Sequence, residues 1–424
     1  MARGIVGARQ TIDRALKPAT SALSGMTSRP QYRVSMLSLL LILVVIYPII
    51  DQSNARISDA AQAEIFILLA LGLNIVVGFA GLLDLGYAAF FAIGAYTMAL
   101  LASAHFTVSG HTFSSPLLSF GASGIHVNFF VMIPIAAVVA ALCGVLFGAP
   151  TLRLRGDYLA IVTLGFGEIV PQVIKNLGPD NSFGLPNITN GVNNITGIDR
   201  PPDTTLFGAH VTFQSNDQRP WYYLGLIIVI FSVIVIMSLR KSRLGRAWAA
   251  IREDEIAAAH MGINIRNTRL SAFGLGAAFS GFAGLLQASI NGSVDSGSFG
   301  FNISITILVM VILGGIGSIP GAILGAFILS YLDLEWLAWI NDRIHQLGDN
   351  LHTAPSVIGS LGTWMAQLNL QTARPLIFGV ILVTVMLLRP QGLWPSATRA
   401  RELQPQTAEI LSEENEELYT EREA

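Results

Sequence analysis

The chain has 424 residues, of which 52% are hydrophobic and only 12% charged, about half the charged share of a soluble domain. Its formal net charge of −2 leaves no basic excess to neutralise phosphates, which excludes a nucleic-acid partner. A single cysteine, Cys143, excludes a disulfide framework and a cysteine zinc site.

A bilayer core about 30 Å thick needs roughly 20 apolar residues per helix. That requirement predicts an all-α integral membrane protein with about ten transmembrane helices. They lie near 34–50, 60–80, 84–104, 127–149, 157–176, 221–240, 270–290, 301–314, 317–338 and 374–389. Residues 1–33 form a basic tail with no apolar core and cleavage site of a signal peptide, so it is expected to be retained. Residues 34–395 form the transmembrane domain. Asp84 follows Gly81 and is expected to N-cap the third span. Asp157 is expected at the inner interface as an end-of-span ion pair or helix cap, and Glu64 is expected to be structural, near the outer interface. The run Gly314-Gly315-Ile316-Gly317-Ser318-Ile319-Pro320 predicts a broken or re-entrant Gly-rich region. Such backbone is tolerated at membrane depth only where protein or water surrounds it. Residues 396–424 are acidic, poor in apolar side chains, and expected to be a disordered cytoplasmic tail.

Positive charge sets orientation. With the N-terminus inside and ten alternating spans, 19 of the 25 Lys and Arg face the cytoplasm. An odd number of spans would split this bias, so N-in and C-in is the expected topology. The loops 103–126, 177–220 and 339–373 then lie outside, and 240–269 is the basic inner loop.

Nothing in the chain reads as a catalytic site. A P-loop needs a Lys after a Gly, and Lys17, Lys175 and Lys241 follow other residues, so ATP hydrolysis by that route is excluded. The seven histidines show no metal-ligand spacing, and no metal or cofactor is expected in the chain itself. Glu168 lies eleven residues beyond Asp157, about 17 Å along a helix. Charges at that depth face the bundle interior or a water-filled path. Glu168 is therefore expected to be buried, either lining a path or accepting a hydrogen bond from another helix.

The inner loop is the informative segment. Residues 244–262 are Ala-rich, which favours helix, and Gly262 is a plausible stop. At about 100° per residue Ala247, Ile251, Ala258 and Met261 share a stripe, interrupted by Asp254. Arg252, Glu253 and Glu255 add mixed charge. A weakly apolar helix with charges of both signs fits a groove in a soluble partner better than a lipid surface.

The form Gly-Arg-Ala-x4-Arg-Glu-Asp-Glu-x6-Gly, from Gly245 to Gly262, resembles the ATPase-coupling loop of the branched-chain (neutral) amino acid permeases of ABC importers, closest to the LivM-type subunit. It departs by one residue from the wider EAA loop in the spacing to the glycine. The blocks Leu73–Phe90, Leu152–Ile169, Leu313–Gly321 and Arg389–Leu393 agree, and the resemblance runs from about 60 to 395. It implies a non-catalytic permease subunit in a bacterial cytoplasmic (inner) membrane. It implies a second, LivH-type permease, two ATPase subunits that bind ATP and Mg, and an external substrate-binding protein. The coupling residues it implies are Gly245, Arg246, Ala247, Ile251, Arg252, Glu253, Asp254, Glu255, Ala258, Met261 and Gly262. Asn74, Gly81, Tyr87, Thr163 and Glu168 are the candidates for the translocation path. Two rivals stand beside this reading. One is a permease of the same superfamily for urea or short amides. The other is an ion-coupled secondary transporter using carboxylates such as Glu168, against which the coupling-type loop speaks.

Overall fold

The computed structural model describes residues 42–394, except 108–112, 116, 122–123, 153, 155, 180–183, 185, 207–208, 215–216, 353–369, 371 and 390. The two terminal tails lie outside the described residues, as does most of the loop 339–373. Helix α1 is described over 42–50. It is followed by α2 (Asn54–Leu73), which continues as a π-helical turn, Asn74–Phe79, and by α3 (Ala88–Leu101), α4 (Phe129–Thr151), α5 (Asp157–Asn176) and α6 (Arg219–Lys241). Two short helices, α7 (Arg243–Glu253) and α8 (Glu255–His260), precede α9 (Ile265–Asn291) and α10 (Phe301–Gly314). Then α11 (Ile319–Tyr331) passes through a π-helical turn into α12 (Leu337–His352), and α13 spans Arg374–Leu388. Among the described residues six helices are long and apolar enough to cross a membrane, and 88–101, 301–314 and 374–388 are shorter apolar helices.

Helix α2 is the hub. Its residues from Ala63 to Phe79 are buried almost without exception, against α9, α6 and α11. A helix apolar on every side belongs inside a bundle. Small residues set the helix spacing, because small side chains let backbones approach closely. A Cβ placed on Gly94 of α3 would lie 2.6 Å from the Gly281 Cα of α9. Helices α4, α9 and α11 start on side-chain caps: Asn128 accepts from the Phe130 amide, Asn264 from Asn267 and Ser318 from Gly321, each satisfying an amide the helix leaves open.

The connections gather at two ends. At one end the 102–127 segment forms a four-stranded sheet in the order β1-β4-β3-β2, with β1 Ala102–Ser103, β2 Phe113–Ser114, β3 Leu118–Gly121 and β4 Gly124–Val127. Strand β5 (Ile195–Thr196) pairs with β6 (Ser293–Val294), and the Asp199 amide donates to the Ala102 carbonyl at 2.8 Å. At the other end lie α7 and α8, the turn 315–318, the C-terminal strand-like residues 391–394 and the end of the π turn at Phe79. There the Trp394 amide donates to the Gly314 carbonyl at 2.8 Å.

Two long helices are each followed by an extended segment and then a 14-residue helix. After α2 the segment is Gly81-Leu82-Leu83-Asp84-Leu85-Gly86, and α3 follows. After α9 it is Gly292-Ser293-Val294-Asp295-Ser296-Gly297, whose last two residues open a 3-10 turn, Ser296–Phe299, before α10. Both read G-x-x-D-x-G. Both begin on a glycine of positive φ, +70° at Gly81 and +64° at Gly292, a conformation that glycine adopts without steric penalty. In both, the aspartate accepts from the amide two residues on: Asp84 Oδ1 from Gly86 at 2.9 Å, and Asp295 Oδ1 from Gly297 at 3.0 Å. Helices α2 and α9 run in opposite directions, so the two short helices start within the bundle and run toward opposite ends. Their starts meet, where the Ala88 amide of α3 donates to Ser304 Oγ of α10 at 2.9 Å.

Asp84 was expected to N-cap the third span. The helix instead starts four residues later, and Asp84 closes a turn ahead of it, because an Asp side chain competes for nearby amides when the backbone is extended. Its other oxygen, Oδ2, is buried without a partner among the described residues.

Candidate functional site

The loop between α6 and α9 folds into two helices meeting at a corner. Asp254 adopts extended backbone (φ −152°, ψ 113°) and its carboxylate accepts the amides of Ile256 and Ala257. A single helical stripe through Asp254 is therefore corrected. The residue is an N-cap, and capping outweighs helix continuation for Asp. The loop is anchored on its inner side. Gly245, Trp248, Ile251 and Ala258 are buried, and the Trp248 indole donates to the Thr268 carbonyl at 2.9 Å. Glu255 pairs with Arg269 of α9 at 2.8 Å. Arg246, Ala249, Glu253, Asp254 and Gly262 are exposed, and Ala247 is half-buried. Met261, expected on the same stripe as Ala258, is 82% exposed, and Ile256 is 71% exposed, while Ala258 is 3% exposed. The large apolar side chains that this part of the loop exposes are thus Ile256 and Met261.

Arg252 joins the loop to the hub helix. Its Nη1 donates to the Gly78 carbonyl at 2.7 Å, in the π turn that ends α2. Its stem lies over Gly81, where a Cβ would come within 2.9 Å of Arg252 Cγ. The next contact is equally direct. Asn74 Oδ1, in the same π turn, accepts from the Gly317 amide at 2.8 Å, and Asn74 Nδ2 donates to the Ser318 carbonyl at 3.4 Å.

The five path candidates fall into different surroundings. Asn74 is fully buried in the clamp just described. Tyr87 is also fully buried, its hydroxyl donating to the Gly276 carbonyl at 2.8 Å. Thr163 is buried; its hydroxyl accepts from the Leu85 amide at 3.1 Å and donates to the Ala160 carbonyl at 3.0 Å. These three side chains spend their polar groups on holding the interrupted segments. Gly81 is exposed beside Arg252. Glu168 was expected to be buried and is exposed. Its carboxylate accepts the Phe301 amide at 3.2 Å, the first residue of α10. Period and depth place a residue along a helix but do not tell which face another chain or solvent covers.

Glu64 lies at mid-helix in α2, 5% exposed. It packs on Gly225 of α6, and neither oxygen has a hydrogen-bond partner among the described residues. Arg153 and Arg155 lie outside the described residues, and Asp157 is the first residue of α5. The sheets at the end away from α7 and α8, and the 2.7 Å contact of His126 Nδ1 in β4 with Asp199 Oδ2, had no sequence signal.

A family model described as branched-chain amino acid transport system / permease component matches residues 57–388. The chain is 37% identical over 375 residues to the high-affinity branched-chain amino acid transport system permease protein LivM of Escherichia coli K12, covering 84% of this chain and 73% of that protein. It is 36% identical over 393 residues to the LivM protein of Salmonella typhimurium, covering 88% and 77%. To the LivH permease of Salmonella typhimurium it is 24% identical over 276 residues, covering 65% and 83%. No solved structure matches the chain.

Proposed function

The chain belongs to the branched-chain amino acid transport permease family of ABC transporters, and on that premise we propose that it is one of two permease subunits of an importer for branched-chain or other neutral amino acids. In this reading it sits in the bacterial cytoplasmic membrane with both termini inside, and the sheets at the far end face an external binding protein. A second permease, of LivH type, completes the path. Two partner ATPases bind ATP and Mg and do the hydrolysis.

The observation that carries the reading is the loop of α7 and α8. It is buried on its inner side by Trp248, Ile251 and Ala258 and presents Ile256 and Met261 outward. A weakly apolar but amphipathic element held by its own chain, with exposed apolar residues and charges of both signs, has the form of a part that fits a groove in a soluble partner. Its rigid tie through Arg252 to Gly78 supports a role in passing motion into the spans. The path itself is proposed to run along the exposed face of α5, between this chain and the second permease. An intramembrane carboxylate such as Glu168 is costly against lipid and is kept where protein or water meets it.

The test is reconstitution in proteoliposomes. Amino acid uptake is expected only with the second permease, both ATPases, the loaded binding protein and ATP. Uptake by this chain alone, driven by a proton or sodium gradient, would replace this reading with an ion-coupled carrier.

A further inference from the structure

The exposed face of α5 carries one feature that packing within the chain does not use. Tyr158, Ile161, Glu168, Ile169, Gln172 and Val173 are all exposed, at spacings that place them on one side of a helix. Gly165 lies on the same side, one turn before Glu168. A Cβ there would meet nothing within 4 Å, so no contact of this chain requires a glycine. In a helix interior glycine is less favourable than alanine. The absence of a side chain thus leaves a notch directly beside the Glu168 carboxylate, open to whatever lies outside the chain. Glu168 is about 17 Å from the start of a helix about 30 Å long, at 1.5 Å per residue, so the notch is at mid-span. Asn302, next to Phe301 at the start of α10, is exposed as well.

This rests on the reading of the chain as an amino acid permease. A neutral amino acid is a zwitterion whose only positive charge is its α-ammonium group. We propose that the Glu168 carboxylate is the subsite for that ammonium group, with the Gly165 notch giving the amino acid room and Ile161 and Ile169 bordering it with apolar surface. One carboxylate oxygen holds the Phe301 amide. That bond aims the carboxylate and leaves lone pairs for a cation. The apolar flanks match an aliphatic side chain. The carboxylate favours substrates that carry an amine over those that lack one.

The competing role for Glu168 is purely structural, as an acceptor at the start of α10. Glu168→Gln separates the two, because the glutamine oxygen still accepts the Phe301 amide while the charge is gone. The experiment uses the whole transporter with its binding protein in proteoliposomes and measures ATP-driven leucine uptake. Expected are a tenfold or larger loss in Glu168→Gln and retention of most uptake in Glu168→Asp. In a second arm Cys143 is replaced by alanine and Glu168 by cysteine. An anionic sulfonatoethyl thiol reagent is expected to restore uptake several-fold, and a cationic aminoethyl reagent to leave it low. Uptake of Glu168→Gln at the wild-type rate would reduce Glu168 to a structural acceptor. Failure of either reagent to reach the cysteine in an assembled complex, or restoration by both charges alike, would also overturn the subsite. Each of these results leaves the permease assignment standing. That assignment fails separately, if the unsubstituted complex shows no ATP-driven uptake.

Discussion

Replacing Arg252 with alanine should uncouple the loop from the spans without removing the loop. In the structure Arg252 Nη1 reaches the Gly78 carbonyl at 2.7 Å. The exposed Ile256 and Met261, proposed to dock, lie in and just after the other helix of the loop, beyond the Asp254 corner. A hydrogen bond from a charged donor contributes about 1.5–3 kcal/mol. At about 1.4 kcal/mol per factor of ten, the variant should transport roughly 10- to 150-fold less amino acid per ATP hydrolysed. The assay is the ratio of uptake to phosphate release in proteoliposomes containing the full transporter and loaded binding protein. Hydrolysis should persist, because docking residues are untouched, while uptake falls. Arg252→Lys keeps the charge on a shorter donor and should recover part of the ratio. An unchanged ratio in Arg252→Ala would refute a transmitting role for this contact. A parallel loss of hydrolysis and uptake would instead place Arg252 in docking.

Cysteines at Ile256 or Met261 should crosslink to the ATPase subunit in the assembled transporter. A cysteine at the buried Ala258 should not, and the reverse pattern would show that the loop docks by its other face. Asn74→Leu removes the acceptor of the Gly317 amide in a buried site, and an orphaned buried donor costs about 1–3 kcal/mol. A clearly lowered midpoint of thermal unfolding in detergent is expected, and an unchanged one would mean that the 315–318 turn is held elsewhere. A cysteine at the exposed Val192 should react with an impermeant reagent in intact cells, and one at Met261 only after permeabilisation. Labelling of both, or the opposite pattern, would invert the proposed orientation.

The apolar stretches of the chain predicted helices in places where helices stand, since burial of apolar side chains and internal pairing of the backbone both require them in a bilayer. The interruptions were harder to read. Residues 80–87 carry Leu82, Leu83 and Leu85, so mean hydropathy runs straight through them and a span starting at 84 looks continuous. The signal lay in the spacing of Gly81, Asp84 and Gly86, and it becomes legible only beside its copy at Gly292, Asp295 and Gly297. The inner loop was located by its residues, but its stripe assumed one helix. The choice of Asp254 between helix interior and N-cap is decided by which amides its side chain can reach, and periodicity does not encode that. Burial of Glu168 was inferred from depth alone. Depth requires only that the carboxylate avoid lipid, and a surface covered by a second chain satisfies that requirement as well as the inside of this one.

The two ends of the molecule meet the middle through short, directional contacts. From the loop, Arg252 holds Gly78. In the same π turn Asn74 holds Gly317, and the extended segment that follows places Leu85 on Thr163 of α5. From the far end, the extended segment after Gly292 leads into α10, whose first amide rests on Glu168 of the same helix α5. Helix α5 therefore receives both interrupted segments, five residues apart, and it is the least enclosed of the six long helices. A displacement of the loop pulls on backbone groups joined by hydrogen bonds, not on flexible side-chain packing alone. The first span to feel it is the one whose outer face carries the carboxylate. Extended segments with glycine at positive φ can change their dihedral angles where a continuous helix would have to break its ladder. The same G-x-x-D-x-G pattern on both sides of α5 gives the bundle two such joints, one reached from each end.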